Sequence, residues 1–307
     1  MNKPLIAIAV VGTLAAGYGV AQYKINEKLT VEIEKQISTF TETSGFSVEY
    51  QDANYSIFNQ AVSLTGINFT GPEGEALASI NQLIIEGYEA DKISPYTAMD
   101  LKGLRLAESL IKQAEQTTPA ELLNASYDIT SSLKYDESTG QSDFYLGFVA
   151  GKVAAMDMAF SFGNAQSFME VSLESQKMQQ QSQLTMEQEL QLQSKMMTAM
   201  QALKPQSFSF TFNNKGQFDS VVEQQLSVVQ LDKLSFVQQA QMQVDMLPLE
   251  EAYKMELMNF VNGLNSLSIS MKLDEHKPVS ELAAQVMGIA QQPDKLAELF
   301  NLEIKGS

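Results

Sequence analysis

Cysteine and tryptophan are absent from the 307-residue chain, and histidine occurs once, as His276. Without cysteine there can be no disulfide framework, no thiolate nucleophile and no cysteine-based zinc site. One histidine cannot form a histidine-based metal site by itself, and no G-x-S-x-G pattern frames a serine for it to activate. We therefore interpret His276, in the segment DEHKP, as an exposed turn residue. The sequence predicts no catalytic residue, no metal ligand and no cofactor.

Basic residues are scarce: 20 Lys and Arg stand against 37 Asp and Glu, for a net charge of −17. Such a surface repels phosphate backbones, so the sequence argues against nucleic-acid binding. Anionic membrane surfaces would be repelled as well, so any contact with lipid should come through apolar area. The segment from Gly147 to Lys152 is one residue too short for a phosphate-binding loop, and Val153 replaces the hydroxyl residue that would bind magnesium.

A run of 20 uncharged residues, Pro4–Tyr23, lies between Lys3 and Lys24. At helical rise these residues cover roughly 30 Å, which is about the thickness of the bilayer hydrocarbon. Residues 1–23 are therefore predicted to be either a retained single-pass anchor or a signal peptide cleaved after Ala21. The length of the run and its tyrosines favour the retained anchor, and both alternatives place residues 24–307 across the membrane. The predicted anchor residues are Leu5, Ile6, Ile8, Val10, Val11, Leu14, Tyr18 and Tyr23.

Residues 24–44 have apolar side chains at spacings of three and four, which predicts an amphipathic helix ending at Ser44-Gly45. Residues 62–69 (VSLTGINF) and 99–106 (MDLKGLRL) share one pattern in which the apolar positions change parity at Gly66 and Gly103. A regular strand with this pattern would direct its apolar residues to one face of the sheet before the glycine and to the other face after it, unless the glycine marks a bulge or bend. Because the two segments are short, they are either an internal repeat or a chance match, and the sequence does not distinguish the two.

Strands are also predicted around residues 80–85, 127–135, 144–148, 156–162, 208–212, 267–273 and 302–304, where apolar and polar residues alternate. Helices are predicted near Pro119 and over 176–203, 219–247, 248–264 and 278–300, the last broken near Pro293. No segment resembles a flexible linker. The predicted fold is therefore α+β: an N-terminal transmembrane helix, then one elongated domain over 24–307 with antiparallel sheet covered by amphipathic helices.

Phenylalanine and methionine alternate with polar residues over 156–162 and 208–212. Such stripes are usually sheet core covered by helices. The alternative is a curved sheet whose apolar face stays open for an acyl chain, and methionine-rich walls suit that role because their side chains repack around irregular ligands. The candidate groove residues are Leu64, Ile67, Phe69, Leu101, Met158, Phe160, Phe162, Phe208, Phe210 and Phe212.

Four segments follow one another along the chain: the anchor, the amphipathic helix, the segment YSIFNQAVSLTGINF, and the C-terminal stretch from Leu267 through Pro278 and Pro293 to Leu302. In the order of these four segments the chain resembles the YdgA-like family of membrane-anchored bacterial envelope proteins of unknown function, and more distantly the AsmA-like group. The resemblance covers both ends of the chain and carries over no catalytic residues. It implies an inner-membrane anchor and a periplasmic, β-rich domain. AsmA-like members are associated with envelope lipid homeostasis through an elongated apolar groove.

Two functions are therefore expected, both non-enzymatic. The first is a periplasmic protein that binds membrane lipid or another hydrophobe in a groove of the sheet. The second is an envelope scaffold that binds another envelope protein through its helices, and the Gln- and Met-rich segment 176–203 is the feature that suggests it.

Overall fold

A computed structural model describes residues 33–34, 37–38, 40–42, 44–56, 60–87, 92–181, 185–273 and 276–307. Over these ranges the protein is α+β, with one large antiparallel sheet and a set of helices. None of the helices in the described ranges combines the length and the apolar character needed to cross a bilayer. The predicted anchor Pro4–Tyr23 lies outside the described residues.

The sheet has 11 strands in the order β1-β3-β4-β5-β6-β7-β8-β9-β10-β11, and β2 also pairs with β3. From β3 onward each strand pairs with the next strand along the chain, so the sheet is an antiparallel meander. The strands are β1 Ser47–Glu49, β2 Asp52–Ser56, β3 Ala61–Thr70, β4 Ala76–Glu86, β5 Tyr96–Leu106, β6 Tyr127–Asp136, β7 Gln141–Ala150, β8 Ala154–Gly163, β9 Lys204–Asn214, β10 Ser266–Lys272 and β11 Glu303–Gly306. Each strand predicted above is present, but Phe168, Val171 and Leu173, which also suggested sheet, belong to a helix over Gln166–Gln181.

The described residues between 33 and 44 are helical, and this helix ends at Ser44 with Gly45 at φ 74°, as predicted. The remaining helices are α1 Glu108–Ala114, α2 Ala120–Leu123, α3 Gln166–Gln181, α4 Met186–Ala202, α5 Phe218–Val228, α6 Lys233–Asp245, α7 Glu251–Gly263, α8 Val279–Ile289 and α9 Pro293–Phe300. The predicted helix over 176–203 is two helices, and Thr185 begins the second with a reciprocal capping box to Gln188.

Gly66 and Gly103 both have positive φ, at 62° and 71°, within β3 and β5. In β3, Leu64 and Ile67 are both buried although they are three residues apart, because the left-handed backbone at Gly66 turns the strand between them. The pairing with β4 has no register shift at this point, since Thr65 pairs with Gln82 and Ile67 with Ile80. The buried residues of β3 therefore stay on one face of the sheet. A bulge or bend was predicted at both glycines, and a register shift is found only beside Gly103, between Leu101 and Leu104 in the pairing of β5 with β6.

The main hydrophobic core, here called the first cluster, lies between this face of β1 to β5 and the helical residues 33–44. Ile33 is fully buried there, and Ile37 and Phe40 pack against the cluster. The described members of the apolar stripe predicted for this helix thus pack with the core of the first strands. The buried members are Ile33, Val48, Val62, Leu64, Ile67, Phe69, Leu77, Ala78, Ile80, Leu83, Ile85, Leu101, Leu104 and Leu110.

Helix α7 covers the last strand, β11. The Tyr253 hydroxyl donates a hydrogen bond to the Leu302 carbonyl oxygen over 2.7 Å. The Gly306 amide donates to the Glu256 carboxylate over 2.9 Å. A side chain at Gly306 would overlap the backbone of Glu256, so only glycine lets the helix approach this closely. The backbone groups of an edge strand are thus partly occupied by the chain's own side chains.

Candidate apolar binding face

The strands from β6 to β10 divide their side chains cleanly between two faces. On β8, Met156, Met158, Phe160 and Phe162 lie on one face, and their cross-strand partners on β9 include Phe212, Phe210 and Phe208. Leu267, Ile269 and Met271 of β10 continue the same face. The opposite face of these strands carries Ser207, Ser209, Thr211, Ser266, Ser268 and Ser270. The apolar face predicted from alternation is therefore formed by consecutive, correctly registered strands.

Helices cover this apolar face at one end of the strands, in what we call the second cluster. Phe212 lies 4.7 Å from Phe218 of α5 and 5.4 Å from Phe260 of α7, measured between ring centroids. Leu122 of α2 packs there as well. The buried members of the second cluster are Ala150, Val153, Ala154, Phe212 and Val221.

The other end of the strands is covered by a third cluster, whose buried members are Tyr135, Ala165 and Leu203. Phe168 and Met169 of α3, Val279 of α8, and Phe162 pack against it. The apolar face is thus roofed at both ends of the strands by side chains from helices.

Between the second and third clusters lies a stretch of apolar face that we call the central band. Its residues belong to none of the three clusters, and each is only partly buried or is exposed. In a sheet, adjacent strands about 4.8 Å apart shield the sides of a side chain even when nothing lies above it. Partial burial is therefore what an uncovered sheet face produces. The central band consists of Leu133, Phe144, Leu146, Met158, Phe160, Phe208, Ile269 and Met271.

Phe160 is the centre of the central band. Its ring centroid lies 5.0 Å from that of Phe208, and 6.2 Å from those of both Phe144 and Phe162. Phe144, on the neighbouring strand, is 36% exposed, whereas core residues such as Leu101 are 1% exposed. A row of aromatic side chains from three adjacent strands therefore forms an apolar surface that solvent reaches.

The ten candidate groove residues fall into two groups. Leu64, Ile67, Phe69 and Leu101 are 1–4% exposed and belong to the first cluster, so they are closed core rather than groove surface. The reason is that Ile33, Ile37 and Phe40, from the described helical residues between 33 and 44, pack with these residues. Phe212, at 7% exposure, is covered by α5 and α7. The remaining five lie in the central band or at its borders: Met158, Phe160, Phe162, Phe208 and Phe210.

Other residues of the central band were not predicted to be groove residues. Leu133, Phe144, Leu146, Ile269 and Met271 were placed in strands by their alternation, but their position beside Phe160 depends on the cross-strand register. The predicted hairpin of β6 and β7 could have placed Leu133, Phe144 and Leu146 on this face, because Leu133 pairs with Phe144 and Ser131 pairs with Leu146.

The opposite, polar face carries a network of hydrogen bonds around two aspartates. Ser161 donates to Asp143 over 2.6 Å, and the Gln141 amide donates to Ser161 over 3.1 Å. Tyr145 donates to Asp157, and this hydrogen bond, together with burial and the negative charge, raises the pKa of Tyr145 to about 12. These contacts join β7 and β8 laterally, which accounts for the residues without requiring a ligand.

A second exposed apolar surface lies on α4. Met186, Leu190, Met197 and Met200 fall on one side of this helix and are 51–79% exposed, whereas Ala199 on its other side is buried. Lys195 of α4 contacts Glu174 of α3 over 2.7 Å, so the two helices are also joined by an ion pair. The candidate interaction segment 176–203 thus presents a methionine stripe to solvent, which we call the α4 stripe.

His276 is exposed in the turn after β10 and lies outside the central band. Within the described ranges, no three potential metal-ligating side chains come together.

The second half of the chain matches a known family model. Residues 148–307, which span β8 to β11 and helices α3 to α9, match the model of a family described as "Uncharacterized protein". None of the curated proteins matches the chain. The matched part is slightly more than half of the chain, and it includes Met158, Phe160, Phe208, Ile269 and Met271 of the central band. The chain therefore belongs to this family of uncharacterized proteins.

Proposed function

We propose that this protein is a membrane-anchored protein of the bacterial envelope whose periplasmic domain binds a lipid or another hydrophobe on the central band. The observation that carries the proposal is the contrast between the two roofed ends of the apolar face and the band between them. The side chains there are large, apolar and partly accessible to solvent. An uncovered surface of this kind marks a binding site in a soluble domain more often than it marks neutral surface.

The residue types of the central band suit a flexible apolar ligand. The chain carries a net charge of −17, and no charged residue belongs to the central band. Binding would therefore be driven by the burial of apolar area, at about 25 cal/mol for each Å² removed from water. Met158 and Met271 at the band can repack around chains of different shape.

The anchor belongs to the same proposal. Twenty uncharged residues from Pro4 to Tyr23 would hold the domain beside a bilayer, which supplies the hydrophobe. The inner-membrane location and the role in envelope homeostasis follow from the family resemblance and are part of the proposal.

The test is photocrosslinking of the full-length chain in bacterial cells. A benzoyl-phenylalanine placed at Phe160 or Phe208 should yield lipid adducts that mass spectrometry identifies. The same group at Ser209, on the opposite face of the sheet, and at Met242, an exposed residue of α6, provides the control. Absence of lipid adducts at both phenylalanines, or equal yields at the control positions, would contradict the proposal.

A second candidate function, an envelope scaffold, is favoured by the α4 stripe. Four exposed apolar side chains on one side of a helix fit the apolar surface of another envelope protein. Replacing Met186, Leu190, Met197 and Met200 by glutamine should remove crosslinks to a partner protein without unfolding the domain, because all four are already exposed. Unchanged protein crosslinks in this variant would rule the candidate out.

A further inference from the structure

The hydroxyl of Tyr135 is buried without a hydrogen-bond partner. Tyr135 is 5% exposed, and its Oη is one of two buried side-chain polar atoms in the described part of the chain that lack a partner, the other being Glu121 Oε2. Buried tyrosine hydroxyls normally find a partner because an unsatisfied donor loses its hydrogen bonds to water. The missing hydrogen-bond partner of the Tyr135 hydroxyl therefore requires an explanation.

Tyr135 lies at the border of the central band. On β6 it follows Leu133 by two residues and therefore lies on the same face of the sheet. Its ring belongs to the third cluster, where Phe162, Phe168 and Met169 also pack. Phe162 in turn stacks with Phe160 at an interplanar angle of 10°. Tyr135 is thus connected through Phe162 to Phe160, at one end of the central band.

At the other end of the same face of β6, a tyrosine hydroxyl does have a hydrogen-bond partner. Tyr127 packs on the second cluster, and its hydroxyl donates to the Leu122 carbonyl oxygen of α2. Two tyrosines on one strand face therefore close the two ends of the apolar surface, one with a satisfied hydroxyl and one without.

Negative charge surrounds the Tyr135 hydroxyl. Burial, followed by the carboxylates of Glu137, Glu170 and Asp136, raises the pKa of Tyr135 above its usual value. The group therefore stays protonated at neutral pH and acts as a hydrogen-bond donor. The same carboxylates repel an anionic head group such as a carboxylate or a phosphate.

We infer that Tyr135 is a ligand-binding residue whose hydroxyl donates a hydrogen bond to an uncharged oxygen of an amphiphile, an ester, amide or alcohol oxygen, while the apolar tail lies on the central band. This inference rests on the proposed function and specifies its ligand class. The preferred ligand is then a neutral amphiphile rather than a free fatty acid.

The experiment uses the full-length chain held in amphipol, with benzoyl-phenylalanine at Phe160 as the reporter. Three probes with tails of equal length are compared: monoolein with a neutral head, oleate with a carboxylate, and octadecene with no head. Each is titrated against the reporter protein with Tyr135 intact and with Tyr135→Phe.

We expect monoolein to be captured more tightly than oleate, and Tyr135→Phe to weaken monoolein capture about 5- to 10-fold, the effect of one hydrogen bond. Octadecene capture should be the same in both proteins. Equal monoolein capture in both proteins, or oleate capture at least as tight as monoolein capture, would overturn the inference while octadecene capture still supports the band. Failure to capture octadecene with Tyr135 intact would instead overturn the proposed function.

Discussion

Gly66 and Gly103 lie opposite the same residue, Asn81, on the two strands that flank β4. Thr65 and Ile67 pair with Gln82 and Ile80, which places Gly66 opposite Asn81. On the other side, a methyl group at Gly103 would lie 3.0 Å from Asn81 Cβ and would overlap its amide. The Gly103 amide also donates to Asp128 of β6 over 2.7 Å. The two positive-φ glycines are thus aligned across β4, and the register shift beside Gly103 lies in the pairing of β5 with β6.

Gly103→Ala should therefore destabilise the domain more than Gly74→Ala does. Both residues have positive φ, at 71° and 81°, so each substitution carries a backbone cost of about 1–2 kcal/mol. Only Gly103 has a neighbour within reach, which adds roughly 1–3 kcal/mol for overpacking, whereas no atom lies within 4 Å of the new methyl at Gly74. Urea unfolding of the two variants measures the difference, and equal losses would contradict the steric part of the argument.

Tyr135→Phe should raise the stability of the ligand-free protein, whereas Tyr127→Phe should lower it. The first substitution removes a buried hydroxyl without a partner, and we expect a gain of about 1 kcal/mol. The second removes the hydrogen bond to Leu122, and we expect a loss of about 1 kcal/mol or somewhat more. Thermal unfolding of delipidated protein checks both. A loss of stability in Tyr135→Phe would mean that its hydroxyl has a partner.

Leu101→Ala should lower the free energy of unfolding more than Phe144→Ala does, because Leu101 lies in closed core and Phe144 lies on open surface. Leu101 is 1% exposed in the first cluster, so its truncation should lower the free energy of unfolding by about 2–5 kcal/mol. Phe144 is 36% exposed in the central band, and its truncation should lower that free energy by less than about 2 kcal/mol although more atoms are removed. A larger loss for Phe144 than for Leu101 would show that the band is covered.

The Tyr145–Asp157 contact predicts a loss of stability at alkaline pH. The folded pKa of Tyr145 is about 12, above its usual value of 10.0, chiefly because its hydroxyl donates to Asp157. The unfolded chain therefore loses this proton first. The stability due to the contact is complete below about pH 10 and disappears as the pH rises toward about 12.

The Tyr145→Phe substitution removes the pH-dependent stability that the hydrogen bond to Asp157 contributes. We expect the difference in unfolding free energy between the unsubstituted protein and Tyr145→Phe to be constant from about pH 7 to pH 9 and to shrink above pH 10. Urea titrations over that range measure it. The comparison cancels the other tyrosines, and a difference that does not change with pH would refute the assignment.

Most of the strand positions could be predicted from the sequence because apolar and polar residues alternate within each strand, and this pattern is local. The pattern around Phe208, Phe210 and Phe212 identifies β9 directly. The parity change at Gly66 predicts a bulge or bend without any knowledge of the neighbouring strands, and the structure has a positive φ there without a register shift. Helix α1 was not predicted, since Glu108–Ala114 is short and mostly polar and its two buried residues, Leu110 and Ala114, form only a weak pattern.

Which part of the apolar face stays open could not be predicted in the same way. The alternation in β3 resembles that in β8, yet Leu64 is closed core and Phe160 is not. The difference lies in which helix packs above each strand, and that depends on contacts between residues far apart in the sequence, such as Phe212 with Phe260. Helix α4 adds to the ambiguity because it has apolar residues on both its buried and its exposed sides.

The contacts of Tyr253 and Glu256 with the ends of β11 have a consequence for self-association. A second copy that tried to add its own strand beside Gly306 would have to displace a carboxylate already bonded to that amide and lift α7 away. Fibre growth through the C-terminal margin of the sheet is therefore blocked by the chain's own helix. A long meander of this kind can remain monomeric on that side at high protein concentration.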